Sequence, residues 1–510
     1  MDTIEIISRR KNPIIHSELH GQFIEFLGAA IYDGIWVGED SSIPNIHGLR
    51  KDVVEALQKI HPPVIRWPGG CYADTYHWRN GIGPRKERPI TYNENFGTYE
   101  RDDNSFGTHE FMELCRLVGA KPWFNVNMMT GTPAEMRDWI EYCNRKEDTS
   151  LSRERAKNGD KDPFNVEIWG IGNEPWAGGG NMTAEGYADA YRRFSSSIPS
   201  FASVQNGGKS ELNLKRIACG PDGNKPRERF EWTKRFFKAL GQFRCPPIDG
   251  YDLHFYNWNI DHPEEKVTEF DEAEWIRVIS GCLELEKVIE EQYTLIQEGV
   301  SSLPVSEGAF HVDKPVCQLV IGEWGNWHGA AFTGRPALYQ QCTMRDAVTT
   351  ALTLDLLHRN CDKVRMACNA QTVNVLNSLI LTDRESCILT PNYYVFDLYQ
   401  VHREAEYVPL SWNEGMDGVF LTASKKDGIL SLDAVNANMS QDKTISFYPG
   451  MGARFVEGSI LTSSDPHDVN DKNNPYRIVP RKAQEPEEQW GTYMVTLPKA
   501  SVSVLRFALQ

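Results

Sequence analysis

The feature that most constrains this chain is an alternation, counted eight times, of a short apolar run with a stretch of helical spacing. The apolar runs are 22–31 (QFIEFLGAAI), 64–68, 121–127, 166–173, 216–221, 250–256, 317–323 and 363–370. Helical patterns follow them at 47–60, 105–118, 133–144, 183–195, 227–240, 272–298 and 338–359, with the last over Pro391–Tyr399. Mostly unbroken apolar runs of this length suit parallel strands buried on both faces. Eight strand–helix units in succession predict an α/β fold, a closed (β/α)8 TIM barrel. The rival is an open doubly wound sheet, but no G-x-G-x-x-G follows the first strand. A length of 510 residues suits a large barrel plus one accessory domain.

The texture changes after about residue 400. Segments such as GVFLTASK, GILSLDAVNAN, TISFYP and VSVLRF are short, partly alternating and separated by Gly, Asn, Asp and Pro. They predict a C-terminal antiparallel β-sandwich, jelly-roll-like. TIEIIS near the start is too short to stand alone and is expected to join that sandwich as an edge strand. The expected domains are therefore 1–17 with the sandwich, a barrel over 18–400, and the sandwich itself over 401–510. The charged stretch 463–490 reads as a long loop.

Composition excludes some partners. The net charge is −16, from 54 basic and 70 acidic residues. Such a surface repels phosphate backbones, so nucleic acid is not an expected partner. No apolar run approaches the roughly 18 residues of a membrane span, and no membrane partner is expected. The opening MDTIEIISRR lacks the apolar stretch of a secretory signal. Eleven scattered cysteines, odd in number and without C-x-x-C spacing, read as buried free thiols in a reducing compartment. A cytoplasmic protein is expected. Neither a His-x-x-x-His on a helix nor a D-x-D-x-D-G loop stands out, so neither a metal nor another cofactor is expected.

Active sites of such barrels lie at the C-terminal ends of the strands. Two carboxylates stand out there. VEIWGIGNEPW delivers Glu174 just where Pro175 ends a strand, with Trp169 and Trp176 to either side. Apolar surroundings raise a carboxyl pKa, as a general acid requires. LVIGEWGNW delivers Glu323 in the same way. Assigned to the fourth and seventh strands, both face the mouth of a closed barrel. Two carboxyl groups flanking one sugar carbon are what glycosidic cleavage needs, and a retaining enzyme holds them about 5–5.5 Å apart.

GNEPW at 172–176 and IGEWG at 321–325 resemble the clan of retaining barrel glycosidases. HGQFIEFLGAAIYDGIW at 20–36, RWPGGCYADTYHWRNGIGPRKERP at 66–89, DLHFY at 252–256 and NAQTVNVL at 369–376 narrow this. Together they make the chain similar, over nearly its whole length, to the α-L-arabinofuranosidases of glycoside hydrolase family 51. The resemblance implies Glu174 as acid/base and Glu323 as nucleophile. It implies Asn173 on the sugar 2-hydroxyl, Glu25 on sugar hydroxyls, Tyr256 beside the nucleophile with His254 on the same strand face, and Gln371 near the sugar. Cys71 stands where many relatives carry Asn and forms a subsite wall; Phe26 stands where many carry His. An exo-acting enzyme is implied, releasing terminal arabinofuranose from arabinan, arabinoxylan or arabino-oligosaccharides, in a homo-oligomer, often a hexamer.

Duller readings stay open from the residues alone. Glu25 also reads as a buried partner of Arg66, His254 as a core histidine orienting Glu323, Gln371 as a core amide, and Cys71 as a small buried hydrophobe. Another retaining barrel glycosidase, an endo-β-glucanase or β-xylosidase, would share fold and carboxylates. A catalytically silent sugar-binding protein would bind without turnover.

Overall fold

The computed structural model describes residues 3–509 apart from 8, 203–211, 305–315 and 413–415. Eight strands close into a barrel in sequence order. They are β1 (Gly21–Phe23), β2 (Val64–Trp67), β3 (Lys121–Val126), β4 (Ile168–Ile171), β5 (Lys215–Asp222), β6 (Gly250–Asn259), β7 (Gln318–His328) and β8 (Val364–Ala370). Pairing from β1 through β6 is parallel, as with Arg66↔Trp123 and Trp123↔Ile168. Parallel pairing buries both faces, and β2 is buried at every residue.

The helices start where local chemistry directs. Pro133–Asn144 has proline at its first position and Thr132 accepting the Glu135 N–H. Met344–Arg359 opens on a reciprocal Thr343–Asp346 capping box. The expected elements are present with shifted ends. The largest difference is β1, which ends at Phe23 instead of running to residue 31. Beyond it the chain turns, and Gly28 takes a positive φ of 51° that breaks a strand. A helix at Ser150–Lys157, capped by Thr149, was not foreseen, because its solvent face leaves no apolar period. The stretch expected as a loop over 463–490 contains two short strands, Arg481–Lys482 and Glu487–Gln489.

The chain divides into two compact units: Gly21–Phe255 with Val288–Trp324, and Met1–His20 with Tyr256–Lys287 and Gly325–Gln510. The second unit contains the sandwich. Its six-stranded sheet runs in the order Glu406–Val408, Val419–Lys426, Ile429–Asn436, Ser501–Ala508, Arg454–Leu461, Arg481–Lys482. Its four-stranded sheet runs Thr3–Glu5, Lys443–Tyr448, Thr492–Leu497, Glu487–Gln489. Thr3–Glu5 pairs parallel with Ser446–Tyr448, and Ile4 enters a core with Leu421, Leu432, Phe447, Val495 and Phe507. Among the described residues no helix is long and apolar enough to cross a membrane.

Candidate active site

The first unit brings together six of the residues singled out in the sequence. β4 stops at Ile171, and the chain turns through Gly172 (φ 90°) and Asn173 into Glu174 (φ 36°). A left-handed conformation at a glutamate costs about 1 kcal/mol or more and persists only where the surroundings enforce it. Here Ala177 and Gly179 both donate their N–H to the Glu174 carbonyl. A Cβ on Gly179 would lie 1.9 Å from the Asn173 carbonyl oxygen, so the turn after Glu174 needs that glycine.

Glu323 arrives on β7, buried. One carboxylate oxygen of Glu174, one of Glu323 and a ring nitrogen of His254 all lie within 4.8 Å of one another. His254 Nδ1 is 2.8 Å from Glu174 Oε1 and 3.5 Å from Glu323 Oε1. Its Nε2 is 3.2 Å from Asp252 Oδ2. Arg66 forks between two partners, donating to Glu323 Oε1 and to Asn173 Oδ1, each at 2.6 Å. The guanidinium is buried over the Phe23 and Trp123 rings and is paired with Glu323.

Glu25 is bound by the Tyr72 N–H at 2.8 Å and Asn95 Nδ2 at 3.0 Å. Cβ atoms on Gly69 or Gly70 would approach Glu25 to within 3.0 Å, which explains the paired glycines. Cys71 Sγ is 3.7 Å from Glu174 Oε2 and 4.0 Å from Asn173 Nδ2. Phe26 lies buried among Tyr32, Trp67, Tyr72 and Tyr76, with the Tyr72 ring centroid at 4.7 Å.

Burial and charge set the protonation states. Burial raises Glu174 above the usual carboxyl range; the His254 hydrogen bond opposes this and the Glu323 charge adds to it. Burial, reinforced by Glu323, pushes Glu25 up to about 7. Burial alone would lower His254, but Glu323, Asp252 and Glu174 pull it up to about 10. Burial and the surrounding carboxylates push the Cys71 thiol well up, so it stays protonated and unreactive.

Several expectations resolve differently. Arg66 hydrogen-bonds Glu323 and Asn173 and its charge also acts on Glu25, which is held by Tyr72 and Asn95. His254 reaches Glu174 more closely than Glu323. Trp169 is fully buried against Phe124 and Trp139. Tyr256 is buried on β6, edge-on to Trp327 at 5.1 Å. Gln371 follows β8 across a cis Ala370–Gln371 peptide, buried, its N–H donated to the Val375 carbonyl. Both belong to the second unit. The sequence reading missed Asp252. Its signal was present, since it precedes His254 by two and so shares its strand face.

A closed (β/α)8 barrel with two glutamates converging beside an arginine and a histidine is the build of a barrel glycoside hydrolase. Comparison with known proteins narrows the class. Residues 56–274 match the family model for the α-L-arabinofuranosidase 1 domain, and 322–501 that for the α-L-arabinofuranosidase C-terminal domain. An intracellular exo-α-L-arabinofuranosidase of Bacteroides ovatus is 38% identical, the match covering 99% of this chain and 95% of that protein. The crystal structure of the GH51 arabinofuranosidase from Xanthomonas axonopodis pv. citri is 34% identical, with a TM-score of 0.88 over 99% of both chains. The arabinose complex of α-L-arabinofuranosidase from Thermotoga maritima is 27% identical, with a TM-score of 0.79 over 99% of this chain and 100% of that one. The chain belongs to the α-L-arabinofuranosidases of glycoside hydrolase family 51.

Proposed function

We propose that this enzyme removes terminal α-L-arabinofuranosyl residues from arabinan, arabinoxylan or arabino-oligosaccharides by double displacement, with Glu323 as nucleophile and Glu174 as acid/base. The observation that carries the roles is the meeting of the two carboxylates around His254. So close a pair suits a retaining enzyme, since inversion needs roughly 6.5–9.5 Å for an intervening water. Glu323, paired with Arg66, attacks the anomeric carbon and forms a glycosyl ester. Glu174, whose pKa burial raises, gives its proton to the departing oxygen. Once Glu323 is an ester its charge is gone, and with it one of the influences that raise the Glu174 pKa. Glu174 then takes the proton of the incoming water.

Asn173, oriented by Arg66, is assigned to the sugar 2-hydroxyl, and Glu25 to further sugar hydroxyls. Cys71 walls the subsite beside Glu174; Tyr256 and Gln371 are assigned to the sugar on the family resemblance. Exo action rests on the name of the Bacteroides relative. So does a cytoplasmic location, which eleven scattered cysteines without C-x-x-C spacing also favour. A homo-oligomer, a hexamer in particular, is proposed on the family resemblance and is checked by sedimentation velocity.

The test is hydrolysis of an aryl α-L-arabinofuranoside by wild type, Glu174→Ala and Glu323→Ala, with azide added and products read by NMR. Azide is expected to rescue Glu323→Ala to the inverted β-azide and Glu174→Ala to the retained α-azide. Turnover of aryl β-xyloside or cellulose instead would replace the substrate; turnover of no glycoside would end the reading.

A further inference from the structure

Behind the two glutamates lies a third carboxylate that the sequence did not single out. Asp252 and His254 project from the same face of β6, and both are buried. Asp252 Oδ2 meets His254 Nε2 at 3.2 Å. Its other oxygen, Oδ1, accepts the N–H of Gly322 at 2.5 Å, and Gly322 is bonded directly to Glu323. A Cβ on residue 322 would come within 2.4 Å of both Asp252 oxygens, so β7 can lie this close only with glycine there. One buried side chain thus touches the histidine between the two glutamates and the backbone that delivers one of them.

We propose that Asp252 is a positioning residue of the hydrolytic reaction, holding His254 aimed at Glu174 and Glu323 through one oxygen and fixing the start of Glu323 through the other. This rests on the function proposed above. Both ring nitrogens of His254 face carboxylates, Asp252 on one side and Glu174 with Glu323 on the other. Ionised, Asp252 and Glu323 only accept hydrogen bonds, so the ring fits its surroundings best with a proton on each nitrogen. The Asp222 charge also acts on His254, and the Arg66 charge lies against Glu323. Without Asp252, Nε2 loses the carboxylate that holds its proton, and the ring keeps only its Nδ1 contacts with Glu174 and Glu323. Glu174 would then lose a directed donor to its carboxyl group, which must hand over, and later recover, a proton. A neutral amide at position 252 still accepts a hydrogen bond but supplies no charge.

The experiment is a double-mutant cycle of D252N and H254Q on two aryl α-L-arabinofuranosides, one with a good and one with a poor leaving group. If Asp252 acts through His254, D252N lowers kcat on the poor leaving group by about 10- to 100-fold while KM changes less than about 3-fold, a loss in the range of general acid catalysis. The loss is smaller on the good leaving group, which needs less protonation. In the H254Q background the same substitution costs less than about 3-fold. D252S, which removes the contact with less bulk, repeats the pattern if D252N folds poorly; melting temperatures identify that case. Equal losses in the two backgrounds, equal losses for the two leaving groups, or wild-type kcat in D252N overturn the proposal. Absence of wild-type turnover would instead condemn the proposed function.

Discussion

Arg66 is the residue on which the candidate site turns. It is the buried cation shared by Glu323 and the Asn173 amide, and the planar guanidinium reaches both with separate N–H groups. A lysine carries the charge but not the fork. Arg66→Lys is therefore expected to lower kcat/KM by roughly 100-fold, similar to removing a preorganised donor, and steady-state kinetics with a melting curve will check it. Cys71 behaves oppositely. Its thiol is held protonated and approaches Glu174 only at sulfur-contact distance. Cys71→Ala is expected to change kcat by less than about 3-fold, and iodoacetamide at pH 7 to leave Cys71 unmodified, as mass spectrometry of peptides would report. A rapid alkylation there would contradict the protonation assigned to it. Glu174 and Glu323 were legible in the sequence because each closes a short apolar run. Asp252 was not, because its importance lies in a backbone N–H on another strand.

Among the elements, the helix Met344–Arg359 is the most constrained. It is buried from Met344 to His358 and packs on Val419–Lys426, Ile429–Asn436 and Ser501–Ala508 within its own unit. A helix buried all round has to pair its polar residues internally. Asp346 accepts from Asn326 Nδ2 at 2.8 Å, from the Thr343 N–H at 2.9 Å and from His328 Nε2 at 3.1 Å. Burial would raise this carboxyl, but the His328 hydrogen bond, nearby charge and the Thr343 N–H overcome it and hold it at about 2. The folded value lies below the unfolded one. Asp346 thus contributes stability above about pH 4 that is lost as pH falls toward 2, on the order of 2 kcal/mol. Urea unfolding at pH 7 and at pH 3 should register that loss in wild type, and Asp346→Asn should reduce the difference between the two pH values. An unchanged pH dependence in the variant would contradict it. The alternation of strands and helices gave these elements their order, but not the polar network under the last long helix, whose partners lie on residues 326, 328 and 343.

For the whole molecule, the N-terminal segment is a test of how the sandwich is completed. Thr3–Glu5 supplies an edge strand, Ile4 is 2% exposed in the sandwich core, and Asn12 Nδ2 donates to Glu406 at 2.9 Å. Deleting residues 1–12 gives up the burial of one isoleucine, roughly 2 kcal/mol, along with those hydrogen bonds. Calorimetry is expected to show the melting temperature lower by about 5 °C or more. An unaltered melting temperature would mean that this strand contributes nothing to the sandwich.

The sequence by itself determined the barrel, the sandwich after it, and which two carboxylates close apolar runs of the barrel. These follow from local periodicity and from turn residues, which act over a few positions. Tertiary structure alone decided that Arg66 serves Glu323 and Asn173, that Glu25 is tied to Tyr72 and Asn95, that Trp169 belongs to the core, and that Asp252 stands behind His254. Those outcomes depend on which side chains neighbouring strands bring within about 3 Å of one another, and hydrogen bonds and charges act only over such distances.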